Sequence, residues 1–149
     1  MRRVRDGRIQ DESAFSLIEL VVVILIVGLL AAIAIPTFLG QSSKANDAAA
    51  KEQARTAQTA AEELAVENNS SYATLSVSTA QATEPTLRDT TGATLVAASP
   101  DPGNKGFSVT SLSPDGTTFT IHRASDGTVT RACVQALPTS ASGCTGGKW

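Results

Sequence analysis

Few side chains in this sequence of 149 residues could do acid–base or nucleophilic chemistry. His122 is the only histidine, and it lies among threonines in a predicted strand, so we interpret it as a surface residue. Asp101, Asp115 and Asp126 stand in predicted turns, where turn chemistry explains an aspartate, and they lack the spacing of a calcium-binding loop. The sequence therefore indicates no catalytic set, no metal site and no cofactor.

Glu19 is the exception, because it stands in an apolar run that extends from Phe15 to Leu39. A charged group in hydrocarbon costs at least about 2.5 kcal/mol on insertion scales, so its default interpretation is functional. We expect a partner of opposite charge. The alternative is that Glu19 reaches the lipid headgroups from a helix end.

Both cysteines, Cys133 and Cys144, lie near the C-terminus. If this end of the chain lies outside the cytoplasm, a local disulfide is the expected state. The short intervening loop contains Pro138 and Gly143, and closing a short loop costs little entropy. Two free thiols are the alternative.

The apolar run is long enough to cross a membrane. The segment 20–39 has no charge and, at 1.5 Å per residue, spans the roughly 30 Å of a hydrocarbon core. Four arginines precede it, which predicts a cytoplasmic N-terminus and places the chain after about Gly40 outside. These are Arg2, Arg3, Arg5 and Arg8.

A cleaved secretory signal peptide is the competing interpretation, with Ala32 to Ala34 as an A-x-A site. The apolar run exceeds the usual 7 to 15 residues of such a segment, and Glu19 lies inside it. The chain that follows also continues as a predicted helix. We therefore favour a retained membrane helix.

From Gln41 to Glu67 the composition is helical and lacks Gly and Pro. Small apolar residues recur at helical spacing, which predicts an amphipathic helix continuous with the membrane segment. Gly28 and Pro36 are the expected points of flexibility, because proline removes a backbone hydrogen bond. The stripe consists of Ala50, Ala54, Ala57, Ala61, Leu64 and Ala65.

The second half of the chain predicts a small antiparallel sheet. Asn68 to Ser71 should end the helix, Tyr72 and Leu75 should fold back against it, and residues 76–89 resemble a polar loop. Four β-branched runs follow, with Asp-Gly pairs typical of hairpin turns. They span residues 92–99, 106–112, 116–124 and 127–135.

Alternation in these runs predicts which side chains share a face. One face should pack on the alanine stripe and the other, with Thr118, Thr120 and His122, should point outward. The predicted fold class is α+β, a long N-terminal helix packed on a sheet of three to four strands. The inward set is Phe107, Val109, Phe119, Ile121 and Val129.

The run AFSLIELVVVILIVGLLAAIAIPTF resembles the class III signal segment of type IV pilins and of the pseudopilins of secretion and competence systems. The resemblance implies that a membrane peptidase cuts between Ala14 and Phe15, and that the new amine of Phe15 is methylated. It also implies that Glu19 neutralises that amine on a neighbouring subunit, since a paired charge is tolerable in an apolar core. The usual residue before the cut is glycine, and Ala14 departs from this.

The resemblance implies four segments and a set of partners. The precursor would lie in the cytoplasmic membrane and the product in a surface filament. The partners would be copies of itself, a prepilin peptidase, an inner-membrane assembly platform and the lipid bilayer. The segments are a leader (1–14), an assembly helix (15–39), its amphipathic continuation (40–72) and a globular region of loop plus antiparallel sheet with a C-terminal disulfide loop (73–149).

Three functions remain open at this point. The favoured one is a pilin subunit of a filament for adhesion, motility or DNA uptake, without enzymatic activity. The alternatives are a secretion or competence pseudopilin and a membrane-tethered binding module that never polymerises. Sequence-level evidence for nucleic-acid binding is weak, because only Lys148 and Trp149 form a basic and aromatic pair, which we expect to pack on the sheet.

Overall fold

The computed structural model describes residues 15–136 and 143–149. The expected leader (1–14), with the cut residue Ala14, and Pro138 of the disulfide loop lie outside the described residues. The chain divides into two compact units after Pro36. The second unit, Thr37–Trp149, is called the head below, and each unit is described by itself.

One long helix, α1, begins at Leu17 and ends at Glu67, as the composition predicts. It ends because the next residues adopt left-handed backbone, with φ of 54° at Asn69 and 60° at Ser70. The backbone amide of Ser70 turns back to donate to the carbonyl of Ala65 at 2.7 Å. The side-chain amide of Asn68 donates to another terminal carbonyl, so the open end of the helix is capped.

The expected polar loop at 76–89 is instead partly helical. A short helix, α2 (Val77–Thr83), is followed by a single 3-10 turn (Pro85–Arg88). Ser76 and Thr79 cap α2 reciprocally, each side chain accepting from the other's backbone amide. The prediction was wrong because this segment is too short to show a helical apolar period.

Four strands form one antiparallel meander in the order β1-β2-β3-β4, as the turn signals predict. Consecutive strands pair along their lengths, with one irregularity in β1 between Leu95 and Ala97. The fold is therefore α+β, with a long N-terminal helix packed on a four-stranded sheet. The strands are β1 (Thr94–Pro100), β2 (Phe107–Leu112), β3 (Thr118–Arg123) and β4 (Val129–Val134).

The core lies between the sheet and the head portion of α1. The whole predicted stripe from Ala50 to Ala65 is buried, and so are Tyr72 and Leu75. Four of the five predicted inward residues are fully buried, and each such side chain stabilises the fold by about 1.5–3 kcal/mol. They are Phe107, Val109, Phe119 and Ile121.

Val129 is the exception to the predicted inward set. It pairs with Arg123, which in turn pairs with Phe107, so it is on the predicted face. Its side chain is nevertheless 36% exposed. Val129 is the first residue of β4, the last strand of the sheet, so the face was predicted correctly and the burial was not.

Candidate functional site

Glu19 lies in the first turn of α1, where its carboxylate has a local hydrogen-bond donor. The backbone amide of Ser16 donates to Glu19 Oε2 at 2.9 Å. Ser16 directly precedes the helix and its carbonyl accepts from the amide of Leu20 at 3.2 Å. The stretch Ser16–Glu19 thus has the S-x-x-E spacing of a capping box, a signal that sequence reasoning missed.

The capping contact changes how Glu19 is interpreted within one subunit. A carboxylate near a helix N-terminus is stabilised by unpaired backbone amides and by the helix dipole. Glu19 itself remains exposed, and its Oε2 atom accepts along the chain rather than from another element. The carboxylate therefore has a local role in one copy and remains accessible to a second.

The surface of α1 in the first unit is almost entirely apolar and uncovered. Large apolar side chains between Phe15 and Phe38 are exposed by 47% to 81%. Among the described residues, α1 is the one helix long and apolar enough to cross a membrane, by length and composition. Such a surface is stable in lipid or against other copies of a similar surface, and unstable in water.

Gly28 and Pro36 both lie inside α1, and the helix is unbroken at each. A Cβ added at Gly28 would meet nothing within 4 Å, so packing within one copy does not require glycine there. The proposed flexibility at these two positions stays a prediction.

The two cysteines are joined in a disulfide. The sulfur atoms of Cys133 and Cys144 are 2.05 Å apart, and Cys133 lies on β4. Two side chains of α1 also form hydrogen bonds with this loop, at Gly143. Asp47 Oδ2 accepts from the backbone amide of Gly143 at 2.6 Å, and Lys51 Nζ donates to the Gly143 carbonyl at 2.7 Å.

A cluster of three cations surrounds the side chain of Trp149. The ring centroid lies 5.9 Å from Lys51 Nζ, 5.5 Å from Arg55 Cζ and 5.7 Å from Arg131 Cζ. We call these four residues the Trp149 cluster. Trp149 packs edge-on against Phe119 and donates its ring N–H to the Ala132 carbonyl at 2.9 Å, which confirms the predicted packing of the tail on the sheet.

The remaining sequence-predicted polar residues have structural partners. Asp115 and Asp126 accept from the backbone amides of Thr117 and Thr128, the turn chemistry expected of them. Burial raises the pKa of Asp115, but hydrogen bonds from the Ser43 hydroxyl and the Thr117 backbone amide outweigh it and hold that pKa below its usual value. Asp101 departs from turn chemistry, because its Oδ2 atom lies 2.8 Å from His122 Nε2.

Among the described residues, no group of three or more His, Cys, Asp or Glu side chains could hold a metal ion. In the remaining pair, Asp101 lies in the β1–β2 turn and His122 lies on β3, and both side chains are partly exposed.

These observations define a chain with an apolar N-terminal helix, a single carboxylate in the first turn of that helix and a disulfide-bonded α+β head. A prokaryotic N-terminal methylation motif matches residues 9–35. This motif is the class III prepilin signal segment of type IV pilins and pseudopilins, so the resemblance is confirmed over that segment. The motif and the helix fit a membrane-anchored precursor. No curated protein and no solved structure matches the chain.

Proposed function

We propose that this chain is a structural subunit that polymerises through its N-terminal helix into an extracellular filament of the type IV pilin kind. The observation that carries the proposal is the methylation motif at residues 9–35 on a helix whose apolar surface is uncovered. The motif is typical of precursors that a prepilin peptidase cuts and methylates, and such products assemble with copies of themselves. No enzymatic activity is needed for this role.

In this proposal Glu19 has two successive partners. In the precursor its carboxylate accepts from the Ser16 amide. After a cut between Ala14 and Phe15, the methylated amine of Phe15 carries a positive charge, and Glu19 of a neighbouring copy neutralises it as the helices leave the lipid. The pairing allows both charges to enter an apolar filament core, where one charge alone would be strongly disfavoured.

The first test is the mass and N-terminal sequence of the mature protein. A product that begins at methylated Phe15 supports the proposal. A start at Ile35 would indicate a secretory signal peptide, and a start at Met1 would indicate a plain membrane anchor. Either of the last two results contradicts the proposal.

Two substitutions at Glu19 separate its capping role from its charge. Glutamine still accepts the Ser16 hydrogen bond of a capping box, but it is neutral. We therefore expect Glu19→Gln to keep a stable, inserted precursor and to lose sheared filaments, as Glu19→Ala does. Filament yield that is normal in Glu19→Gln and lost only in Glu19→Ala would assign Glu19 to helix capping and would contradict its role in charge pairing.

A short secretion or competence filament would use the same N-terminal segment, so it is the second candidate. The two differ in where the polymer ends. Filaments that can be sheared from the cell surface and labelled there favour a pilus, whereas polymer confined to the cell envelope favours a pseudopilus.

A further inference from the structure

The Trp149 cluster brings three cations together, and among the described residues only one of them has an ion-pair partner. Lys51 Nζ is engaged by the Gly143 carbonyl, and Arg55 forms an exposed 3.3 Å ion pair with Glu52. Arg131 is exposed on β4 and has no carboxylate within ion-pair distance in the described part of the chain. Its guanidinium and that of Arg55 lie beside the same ring, so two like charges share one part of the head surface.

The C-terminal end of α1 has an excess of negative charge. Glu63 and Glu67 are four residues apart, so they are neighbours on one helix face, and both are exposed. Two like charges at this spacing destabilise a helix. They also lie at the negative end of the helix dipole, where a carboxylate is disfavoured. Arg123 pairs with the neighbouring Glu62 at 3.1 Å and Lys105 Nζ donates to the Ser70 carbonyl, which compensates this end only in part.

Each surface thus brings together like charges that the described part of the head compensates only in part, and the two surfaces have opposite signs. Natural sequences keep such local conflicts mainly where function requires them. We propose that the Trp149 cluster of one copy docks, through Arg131, on Glu63 and Glu67 of the next copy. This inference rests on the proposed filament function and assigns a head-to-head contact within it.

The positions of the two surfaces define the kind of contact. Arg131 lies at the level of Arg55, because both surround one ring, and Glu63 and Glu67 lie 8 to 12 residues further along α1. At 1.5 Å per residue the two surfaces are about 12 to 18 Å apart along the helix. Two copies joined this way are displaced along α1, and repeating an offset, heterologous contact builds an open helical polymer rather than a closed dimer.

The charge of the whole head favours a second copy over a nucleic acid as the partner. Residues 37–149 contain eight Lys and Arg against ten Asp and Glu, so the head would repel a polyphosphate apart from this one cluster. The tryptophan ring is also occupied, because cations lie beside it and Phe119 meets it at an edge. It is therefore not free to stack on a base.

The test is a charge exchange in the full-length chain, expressed in cells with its peptidase and assembly platform. We expect Arg131→Glu, and separately the pair Glu63→Lys with Glu67→Lys, to lower the yield of sheared filaments at least about tenfold, because each places like charges in contact. Combining all three changes should restore the yield to within about threefold of the original protein. Arg88→Glu is the matched control. Arg88 is also exposed, and its substitution makes the same change of charge elsewhere on the head.

Membrane levels of the precursor and formation of the Cys133–Cys144 disulfide should be equal in all variants, which excludes failure to fold. Normal filament yield in both charge-reversed variants, or no recovery on combining them, would overturn the docking proposal while leaving the filament function intact. Absence of filaments from the unaltered chain would overturn the filament function itself. If Arg131→Glu left filament yield unchanged but abolished retention of a labelled oligonucleotide, the Trp149 cluster would be a nucleic-acid-binding site and the docking proposal would be wrong.

Discussion

The carboxylate of Asp47 holds the backbone amide of Gly143 at 2.6 Å, across 96 positions of sequence. Asp47 is 1% exposed, and its second oxygen, Oδ1, has no hydrogen-bond partner within the described residues. One turn later on α1, Lys51 holds the carbonyl of the same glycine. The disulfide loop is therefore attached to the helix by both backbone groups of one residue.

We expect Asp47→Ala to lower the free energy of unfolding by about 1.5–3 kcal/mol, because it removes a hydrogen bond to a charged acceptor and leaves the Gly143 amide without one. Denaturant unfolding of the full-length chain in detergent measures this. Glu63→Ala is the control, since it removes an exposed carboxylate of the same helix and should change stability by less than about 0.5 kcal/mol. Equal effects of the two changes would show that the contact does not stabilise the head.

The disulfide should contribute on a similar scale through the unfolded chain. Cys133 and Cys144 are 11 positions apart, and a bridge across a loop of this size typically stabilises by about 2–4 kcal/mol. We expect Cys133→Ser with Cys144→Ser to lower the unfolding midpoint accordingly. Reduction of the original protein is the comparison, and it should reproduce the loss. A reduced protein as stable as the oxidised one would contradict the prediction.

Tyr72 allows a direct test of the buried network beside the end of α1. Burial of its hydroxyl, with the hydrogen bond to Glu62 at 2.6 Å, raises its pKa from 10.0 to about 12. A pKa that is higher in the folded state means stability that is present below pH 10 and lost as the pH rises from 10 to 12. Because Tyr72 is the only tyrosine, tyrosinate absorbance reports it without interference.

We expect Tyr72 to ionise near pH 12 in the folded protein and near pH 10 in denaturant. Glu62→Gln keeps the hydroxyl buried but removes the negative charge, so its tyrosine should titrate between these values. A titration near pH 10 in the folded protein would contradict burial of the hydroxyl.

The sequence contained enough local information for α1 and the four strands, but not for α2 or for the charged contacts between elements. The strands and turns follow from β-branched runs and Asp-Gly pairs, which act over a few residues. The Trp149 cluster joins Lys51 and Arg55 on α1 to Arg131 on β4, so it exists only once the sheet has packed on the helix. The hydrogen bonds of Asp47 and Lys51 to Gly143 likewise join residues that are more than 90 positions apart in the sequence.

The capping contact of Glu19 was also not predicted, although it joins two residues that are only three positions apart. The spacing of Ser16 and Glu19 was present in the sequence, yet the apolar run around Glu19 favoured a functional interpretation of its charge. The structure shows Glu19 as a capping residue, and the proposed charge pairing would give the same side chain a second role. Only a substitution that separates acceptor from charge, such as Glu19→Gln, distinguishes the two roles.

Gly106 provides the last prediction, since backbone atoms leave no room for a side chain there. A Cβ added at this position would lie 2.4 Å from the Arg123 carbonyl oxygen and 2.5 Å from Asp101 Oδ2. The carbonyl belongs to the paired strand β3 and cannot move without breaking the β2–β3 register. We expect Gly106→Ala to destabilise the head by about 1–3 kcal/mol and to disturb the contact between Asp101 and His122.

Gly103→Ala is the control for a glycine with open space. A Cβ added at Gly103 would meet nothing within 4 Å, but the residue has a positive φ of 91°, so the loss of stability should reflect backbone strain alone. Chemical shifts of the His122 ring should move in Gly106→Ala and not in Gly103→Ala, and the reverse result would contradict the proposed cause.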